Sequence, residues 1–303
     1  MDSGGQHADP PPDRDDGWRG LSPLPHLWKG AGVSAPRPAV LVLAGSRAGP
    51  DPVAEAGGRS CKAFVQIGGR PMLERVIAAL EASGCVGDIS VALDAAAPTD
   101  VEAPALAKRM AAGEISRADP ARTPSRSVLQ AFDALPAGTP LIVTTADHPL
   151  LTAQMVAEFV RKAVDSGAEA AAALAPTELI DATYPDARRT RLKFRDGGYS
   201  GCNLFCFRGA GARNVLTFWG RMEARRKRPW RLAMALGPLT LVAYALGLLT
   251  LKGALRRLGR KAGADLHAVI LPQAEAAIDV DKLEDLRLVE RILGAGDAGQ
   301  LAG

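Results

Sequence analysis

The sequence predicts an α/β fold with three layers, a sheet between two sets of helices, carrying a helical insertion near the C-terminus. Three observations point there. Two short apolar runs, residues 40–43 and 141–143, lack the alternation of a half-exposed strand and so fit strands buried on both faces. Each leads into residues that need bare backbone or carry charge: Ala44-Gly45-Ser46-Arg47 after the first, Asp147-His148-Pro149 after the second. Between and beyond them, amphipathic helical patterns alternate with further short strands, the order expected of a largely parallel sheet.

The 303 residues are 47% apolar and 23% charged, enough to bury a sizeable core in one large domain or two small ones. The net charge of +4 is a local excess, and nucleic acid is not an expected partner. Four cysteines, Cys61, Cys85, Cys202 and Cys206, form no C-x-x-C pair, which fits a reducing compartment better than a disulfide or zinc framework. Residues 1–38, rich in Pro, Gly and Asp, are expected to be a disordered tail. They show no positive n-region followed by an apolar stretch, so no secretory signal is expected.

The first strand, 40–43, runs into a turn whose free backbone N–H groups suit phosphate oxygens, with Arg47 and Lys62 adding positive charge. Gly49, Pro50, Pro52, Gly57 and Gly58 predict an irregular chain up to Lys62. A strand-like run, 63–67, then leads through Gly68-Gly69 and Pro71 into an amphipathic helix over 72–82. A strand at 88–93 and a helix over 103–112 follow, and a short strand or loop begins at Ile115. The Pro/Ser/Thr cluster at 123–127, before apolar spacing at Val128, Leu129 and Phe132, is a helix start. Its hydroxyls fit either a ligand or a plain N-cap.

The second strong strand ends at Asp147, and ligands of open α/β sheets sit beyond the carboxyl ends of strands. A carboxylate there suits a hard cation such as Mg²⁺, or else caps the helix expected over 152–166. A strand at 169–174 and the strand-spaced basic run Arg189, Arg191, Lys193 and Arg195 come next. That run puts four cations on one face, which fits an anionic acceptor or a solvated edge strand. After the strand 202–207, basic clusters flank an uncharged stretch, 232–251, long enough for a membrane span but divided by Gly237-Pro238 and Gly247. Two short helices, packed on each other or lying on a surface, fit it better. A strand at 268–271, the acidic segment Asp279-Val280-Asp281 and a helix over 283–293 close the pattern. Asp281 with Glu284 has the spacing of a capping box, which favours Asp279 for any metal.

The loop fits neither G-x-x-x-x-G-K-[ST] nor G-x-G-x-x-G. It resembles the opening of nucleotidyltransferases with a GT-A-like, Rossmann-like fold, through Leu43-Ala44-Gly45, Arg47, Lys62 and Gly69-Arg70-Pro71-Met72-Leu73. Within them it is similar to the MobA-like branch, named for molybdenum-cofactor guanylyltransferase. Asp147-His148-Pro149 resembles that branch's Asp-x-Pro metal motif, and 279–286 resembles its closing acidic segment with Lys282-Leu283 in place of Thr-Pro. Ser46 replaces the usual second Gly, and the loop to Lys62 is longer than usual. The resemblance covers residues 39–293 except an insertion at 220–260. It divides the chain into a tail (1–38), a nucleotidyltransferase domain (39–219 and 261–293), the insertion, and a second tail (294–303).

The resemblance implies Mg²⁺-dependent transfer of a nucleoside monophosphate from an NTP to a phosphorylated acceptor, with release of pyrophosphate. Leu43, Ala44, Gly45, Ser46, Arg47, Lys62, Ser127 and Asp147 would bind the nucleotide, with Arg47, Lys62 and Asp147 catalytic. Gly201 and Asn203 would meet the acceptor, a small molecule or lipid precursor. Asp147 with Asp279 or Asp281 would hold the metal. The implied location is cytoplasmic, with peripheral contact at the inner face of the membrane through 220–260. The alternatives are a GT-A glycosyltransferase using an NDP-sugar, which lacks its usual Asp-x-Asp here, and a non-catalytic, membrane-attached nucleotide-binding protein. Retention of Lys62, Asp147 and Asp279 counts against the second.

Overall fold

A computed structural model of the chain describes residues 37–45, 49–225 and 237–300. The expected disordered tail lies outside them up to residue 36, as do Ser46, Arg47 and residues 226–236.

The sheet has eight strands: β1 (Ala39–Leu43), β4 (Ile89–Ala92), β5 (Ser116–Ala118), β6 (Leu141–Thr145), β7 (Ala170–Pro176), β8 (Leu192–Phe194), β9 (Gly197–Phe207) and β10 (Leu266–Ile270). A separate two-stranded ribbon joins β2 (Gln66–Ile67) to β3 (Arg70–Pro71). The order across the main sheet is β10-β7-β9-β6-β1-β4-β5, with β8 paired to β9. β5, β4, β1 and β6 run parallel, β9 runs against both β6 and β7, and β10 is parallel to β7.

β1 lies inside the sheet, next to the central β6, because it is apolar on both faces. Val40 and Val42 enter one core layer and Leu41 the other, and all three are buried. β6 does the same with Ile142 on one side and Leu141 and Val143 on the other. The first layer is filled by α2 (Met72–Ala82), α6 (Ala153–Asp165) and the C-terminal α11 (Leu283–Gln300), through Met72, Ile77, Met155, Phe159 and Val289. The second is filled by α5 (Pro124–Ala134) and α8 (Ala212–Arg225), through Val128, Ala131, Ala212 and Leu216. Burying one such Leu or Phe side chain contributes about 2–3 kcal/mol. This is the expected three-layer α/β fold.

Local differences from the sequence reading have identifiable causes. The stretch before Lys62, expected to be irregular, holds a short helix, α1 (Pro52–Ala56). Asp51 caps it by accepting from the N–H groups of Val53 and Ala54 at 2.9 and 3.2 Å, and Pro52 stands at the first helical turn, where no N–H is needed. The run 63–67 begins as a 3₁₀ turn, Lys62–Phe64, because Ala63 and Phe64 both turn inward. Short helices α3 (Thr99–Glu102), α4 (Pro104–Ala111) and α7 (Thr177–Thr183) complete the connections. Within the insertion, residues 220–225 end α8, and two helices follow: α9 (Pro238–Ala245), starting at the expected Gly237-Pro238 break, and α10 (Leu251–Ala262), which lies on the basic flank and, Leu251 apart, not in the uncharged stretch. Among the described residues no helix is long and apolar enough to cross a membrane.

Candidate active site

β1 and β6 are hydrogen-bonded in register to their ends, and the ladder continues past them: the N–H of Ala146 donates to Leu43 at 2.9 Å, and that of Ala44 to Ala92 at 2.9 Å. Leu43, Ala44 and Gly45 on one strand and Asp147 on the other are thereby brought to one rim. Leu43 is half-buried, Ala44 buried and Gly45 exposed. A side chain at Gly45 would crowd Pro120, its Cβ 3.1 Å from that of the proline, so a bare residue fits the turn best.

Lys62 arrives from the 3₁₀ turn. Its backbone is fixed because Ser60, two residues before, donates its N–H and hydroxyl to Glu102 at 2.9–3.1 Å, while Ala63 and Phe64 anchor the other side. The ammonium donates to Asp147 Oδ2 at 2.5 Å and to Asp281 Oδ1 at 3.3 Å. Burial alone would lower its pKa; the charge of Asp147 and the hydrogen bonds to both carboxylates outweigh it, and the group stays firmly protonated.

The C-terminal carboxylates reach the rim through backbone pairing: the N–H of Val280 donates to the carbonyl of Asp147 at 2.8 Å. Ile278 and Val280 are buried, so in this extended stretch Asp279 and Asp281 project together to the opposite side. Asp279 receives the amide of Asn203 at 2.7 Å and the guanidinium of Arg189, which also holds Asp285. Burial, then the charge of Asp147, push the Asp279 carboxyl up to about 6 despite Arg189.

Asn203 owes its aim to a register shift. Between β7 and β9 the pairing slips around Ala172 and Leu174, and Asn203 in the bulge takes φ +50°, in the left-handed region. Gly201 lies nearby on β9, exposed, with open space where a side chain would stand. Ser127 is buried in the first turns of α5, its hydroxyl accepting from the N–H of Ala121 at 2.9 Å, so it shapes the loop entering the helix. Thr123 caps α5, and Glu223 of α8 reaches its N-terminus, accepting from the N–H and hydroxyl of Ser125. Arg47 and Ser46 lie outside the described residues.

Three assignments change. Asp281 does not cap α11: its carboxylate goes to Lys62, and Asp285 Oδ2 accepts from the N–H groups of Asp281 and Lys282 at 3.1 and 2.9 Å. Asp147 does not cap α6, because Thr152 does so through Met155. The basic run 189–195 does not form one face. Arg189 turns inward to Asp279 and Asp285 with only 7% of its side chain exposed, Arg191 pairs with Asp181 at 2.6 Å, and Lys193 and Arg195 stay exposed. Two carboxylates inside the rim attract Arg189 more strongly than a place in the short strand β8. Sequence reasoning missed Arg189 and Asp285 as site residues, since nothing local marks a buried partner some 90 positions away.

Eight buried side-chain polar atoms lack a hydrogen-bond partner among the described residues, and six of them belong to Thr144, Thr145, Asp147, His148 and Arg189. Thr144, Thr145 and Asp147 contribute three of them within four residues at the end of β6, where a water or ligand would complete them. Asp147 Oδ1 is one of them. Among the described residues, no three His, Cys, Asp or Glu side chains are placed to hold one metal ion. At most two of Asp147, Asp279 and Asp281 would therefore share one, a donor set that fits Mg²⁺ better than zinc.

The family profile of the MobA-like NTP transferase domain matches residues 40–233, well over half of the chain. The chain belongs to the MobA-like NTP transferase family. A solved structure described as a hypothetical transferase from Thermus thermophilus is 31% identical, with TM-score 0.67, over 82% of this chain and 99% of that one. CMP:2-keto-3-deoxy-manno-octonic acid synthetase in complex with CTP shares the fold at 14% identity and TM-score 0.55, over 86% and 99% of the two chains. So does a 4-diphosphocytidyl-2C-methyl-D-erythritol synthase, at 15% identity and TM-score 0.52 over 86% and 100%. No curated protein sequence matches. In this MobA-like transferase the family match ends before Asp279, and the tertiary structure adds that carboxylate to the site.

Proposed function

We propose that this protein transfers a nucleoside monophosphate from an NTP to a phosphorylated acceptor, releasing pyrophosphate with the help of Mg²⁺. The observation that carries this reading is the Lys62 ammonium set between Asp147 and Asp281 at the carboxyl rim of the parallel strands, with Asp279 beside them. An oxygen of the acceptor phosphate attacks the α-phosphorus; the new P–O bond forms as the bond to the β-phosphate oxygen breaks, and pyrophosphate leaves with the electron pair. A phosphate whose second pKa is about 6 is already ionised near neutrality, so the chain need not supply a strong base. The work is placement and charge neutralisation.

The bare turn that begins at Gly45 offers N–H groups to the triphosphate, the N–H of Ala44 being taken by Ala92. Lys62, with Arg47 from the same loop sequence, neutralises it and the departing pyrophosphate. Asp147 and Asp279 would hold Mg²⁺, which supplies Lewis-acid charge to the α-phosphate when bound. Their fit rests on the unpartnered Oδ1 of Asp147 and on Asp279, raised by burial and then by the charge of Asp147. Asn203 and Arg189 orient Asp279, and the open space at Gly201 leaves room for an acceptor. The predicted cytoplasmic location suits this chemistry, since NTPs and buried free thiols both belong to a reducing interior.

The test is purified protein with Mg²⁺, each NTP in turn and a panel of phosphorylated acceptors, following pyrophosphate. Asp147→Asn and Asp279→Asn should each lower turnover on the order of 100-fold or more with unchanged circular dichroism. Full activity of Asp147→Asn would refute the assignment.

A further inference from the structure

Among the described residues five large apolar side chains are substantially exposed, and four of them belong to one structural unit. Val242, Leu246 and Leu248 are 54–66% exposed on α9 and the turn after it; Leu192, at the start of β8, is 38% exposed. Val242 and Leu246 are one helical turn apart and share a side of α9. The unit is firmly built. Tyr244 accepts the N–H of Lys193 at 3.2 Å and packs edge-on against Phe194, Leu249 is buried, and the N–H of Arg195 donates to the Leu249 carbonyl at 2.9 Å. These leucines are thus held out by a fixed hairpin.

A basic stripe continues from this tip along α10. Lys252, Arg256 and Arg260 recur every fourth residue along α10, all exposed, and none makes an ion pair among the described residues. Lys193 and Arg195 are likewise exposed and unpaired on the β8–β9 side. Three acids share the hollow beside that stripe: Asp196 accepts the N–H of Leu251, Glu169 accepts those of Gly211 and Asp265, and Asp265 is exposed, so the cations keep a net excess over them only together with Lys193 and Arg195.

We propose that this face docks on an anionic lipid surface, with Leu246 and Leu248 entering the headgroup boundary and Lys252, Arg256 and Arg260 meeting lipid phosphates. An apolar tip continued by a stripe of exposed cations suits an apolar medium next to an anionic layer, which a membrane interface supplies. A second copy fits worse, since an isologous contact would set the same basic stripe against itself. Attachment is peripheral: α9 has eight residues, about 12 Å of helix, against a hydrocarbon core of about 30 Å. Asp147 and Asp279 lie on either side of this segment in sequence yet share one site, so the chain returns to the side it left. β9 runs from Gly197 at the docked hairpin to Asn203, six residues or roughly 20 Å. If nucleotidyl transfer is the reaction, a lipid-borne acceptor phosphate falls within reach of the cleft; docking itself does not depend on that reaction.

Flotation of the full chain with phosphatidylcholine vesicles, with and without phosphatidylglycerol, tests it. Co-flotation is expected only with phosphatidylglycerol, and release as salt rises. The Lys252→Glu/Arg256→Glu/Arg260→Glu variant should bind on the order of 100-fold more weakly or worse. Leu246→Ser/Leu248→Ser should also lose binding, and both variants should keep wild-type circular dichroism and pyrophosphate release. Absent co-flotation of the wild type, or unchanged co-flotation of both variants, would overturn the proposal. So would a concentration-dependent dimer lost in Leu246→Ser/Leu248→Ser without any vesicle binding, which would assign the face to a second copy.

Discussion

Lys62 and His148 show two opposite ways in which one rim treats a titratable side chain. Lys62 stays charged because two carboxylates face it, and that charge is what a triphosphate would meet. Lys62→Ala should therefore lower kcat/KM for NTP on the order of 100-fold, whereas Arg70→Ala, whose guanidinium faces Glu74 at 3.8 Å, should change it little. Steady-state pyrophosphate assays on the two variants make the comparison. His148 is 1% exposed, and burial brings its pKa down to about 4 against the pull of Asp147 and of the Glu275 backbone. The folded-state value is depressed below the unfolded 6.5, so its contribution to stability is full above pH 6.5 and is lost as pH falls through 4. The loss is on the order of 3 kcal/mol for the complete interval. His148→Leu should flatten the decline in melting temperature between pH 6.5 and 4.5 relative to wild type.

At the level of elements, a bulge and a helix cap do the positioning. The bulge in β9 holds Asn203 at φ +50°, and the side chain then reaches Asp279. Asn203→Gly removes the amide and tolerates the backbone; Asn203→Ala removes the amide and strains it. The two variants should lose activity alike, but the Ala variant should be less stable than the Gly variant by about 1 kcal/mol, measured by denaturant unfolding. Asp285 caps the start of α11 and anchors Arg189 from the same carboxylate. Asp285→Ala should cost at least about 1–2 kcal/mol and reduce turnover as well, because Arg189 loses the partner that fixes it over Asp279.

Over the whole molecule, the site joins chain segments far apart in sequence: the loop ending at Lys62, the end of β6, and the segment that follows β10. Mg²⁺ with the cognate NTP should hold these segments together. At a ligand concentration near 100 Kd the stabilisation is about 2.7 kcal/mol, or roughly 5–10 °C in melting temperature for a domain of this size. Thermal scans should show that shift in the wild type and lose most of it in Lys62→Ala.

The sequence by itself determined the layers and the rim. Val40 to Leu43 and Leu141 to Val143 are apolar without alternation, which only a strand covered on both faces satisfies, and Gly45, Lys62 and Asp147 follow those strands in sequence. Thr123 and Pro124 likewise announce α5, because a cap acts within one turn. The tertiary structure decided which charges meet. Asp281 has the local spacing of a capping residue, yet its carboxylate goes to Lys62, 219 positions away, and Asp285 takes the cap. Arg189 fits an edge strand by spacing, yet it is buried between Asp279 and Asp285. Local rules are encoded by neighbours in the chain. Charge pairing depends on distance in space and on burial, and both are settled only when β6, β9 and the C-terminal segment come together.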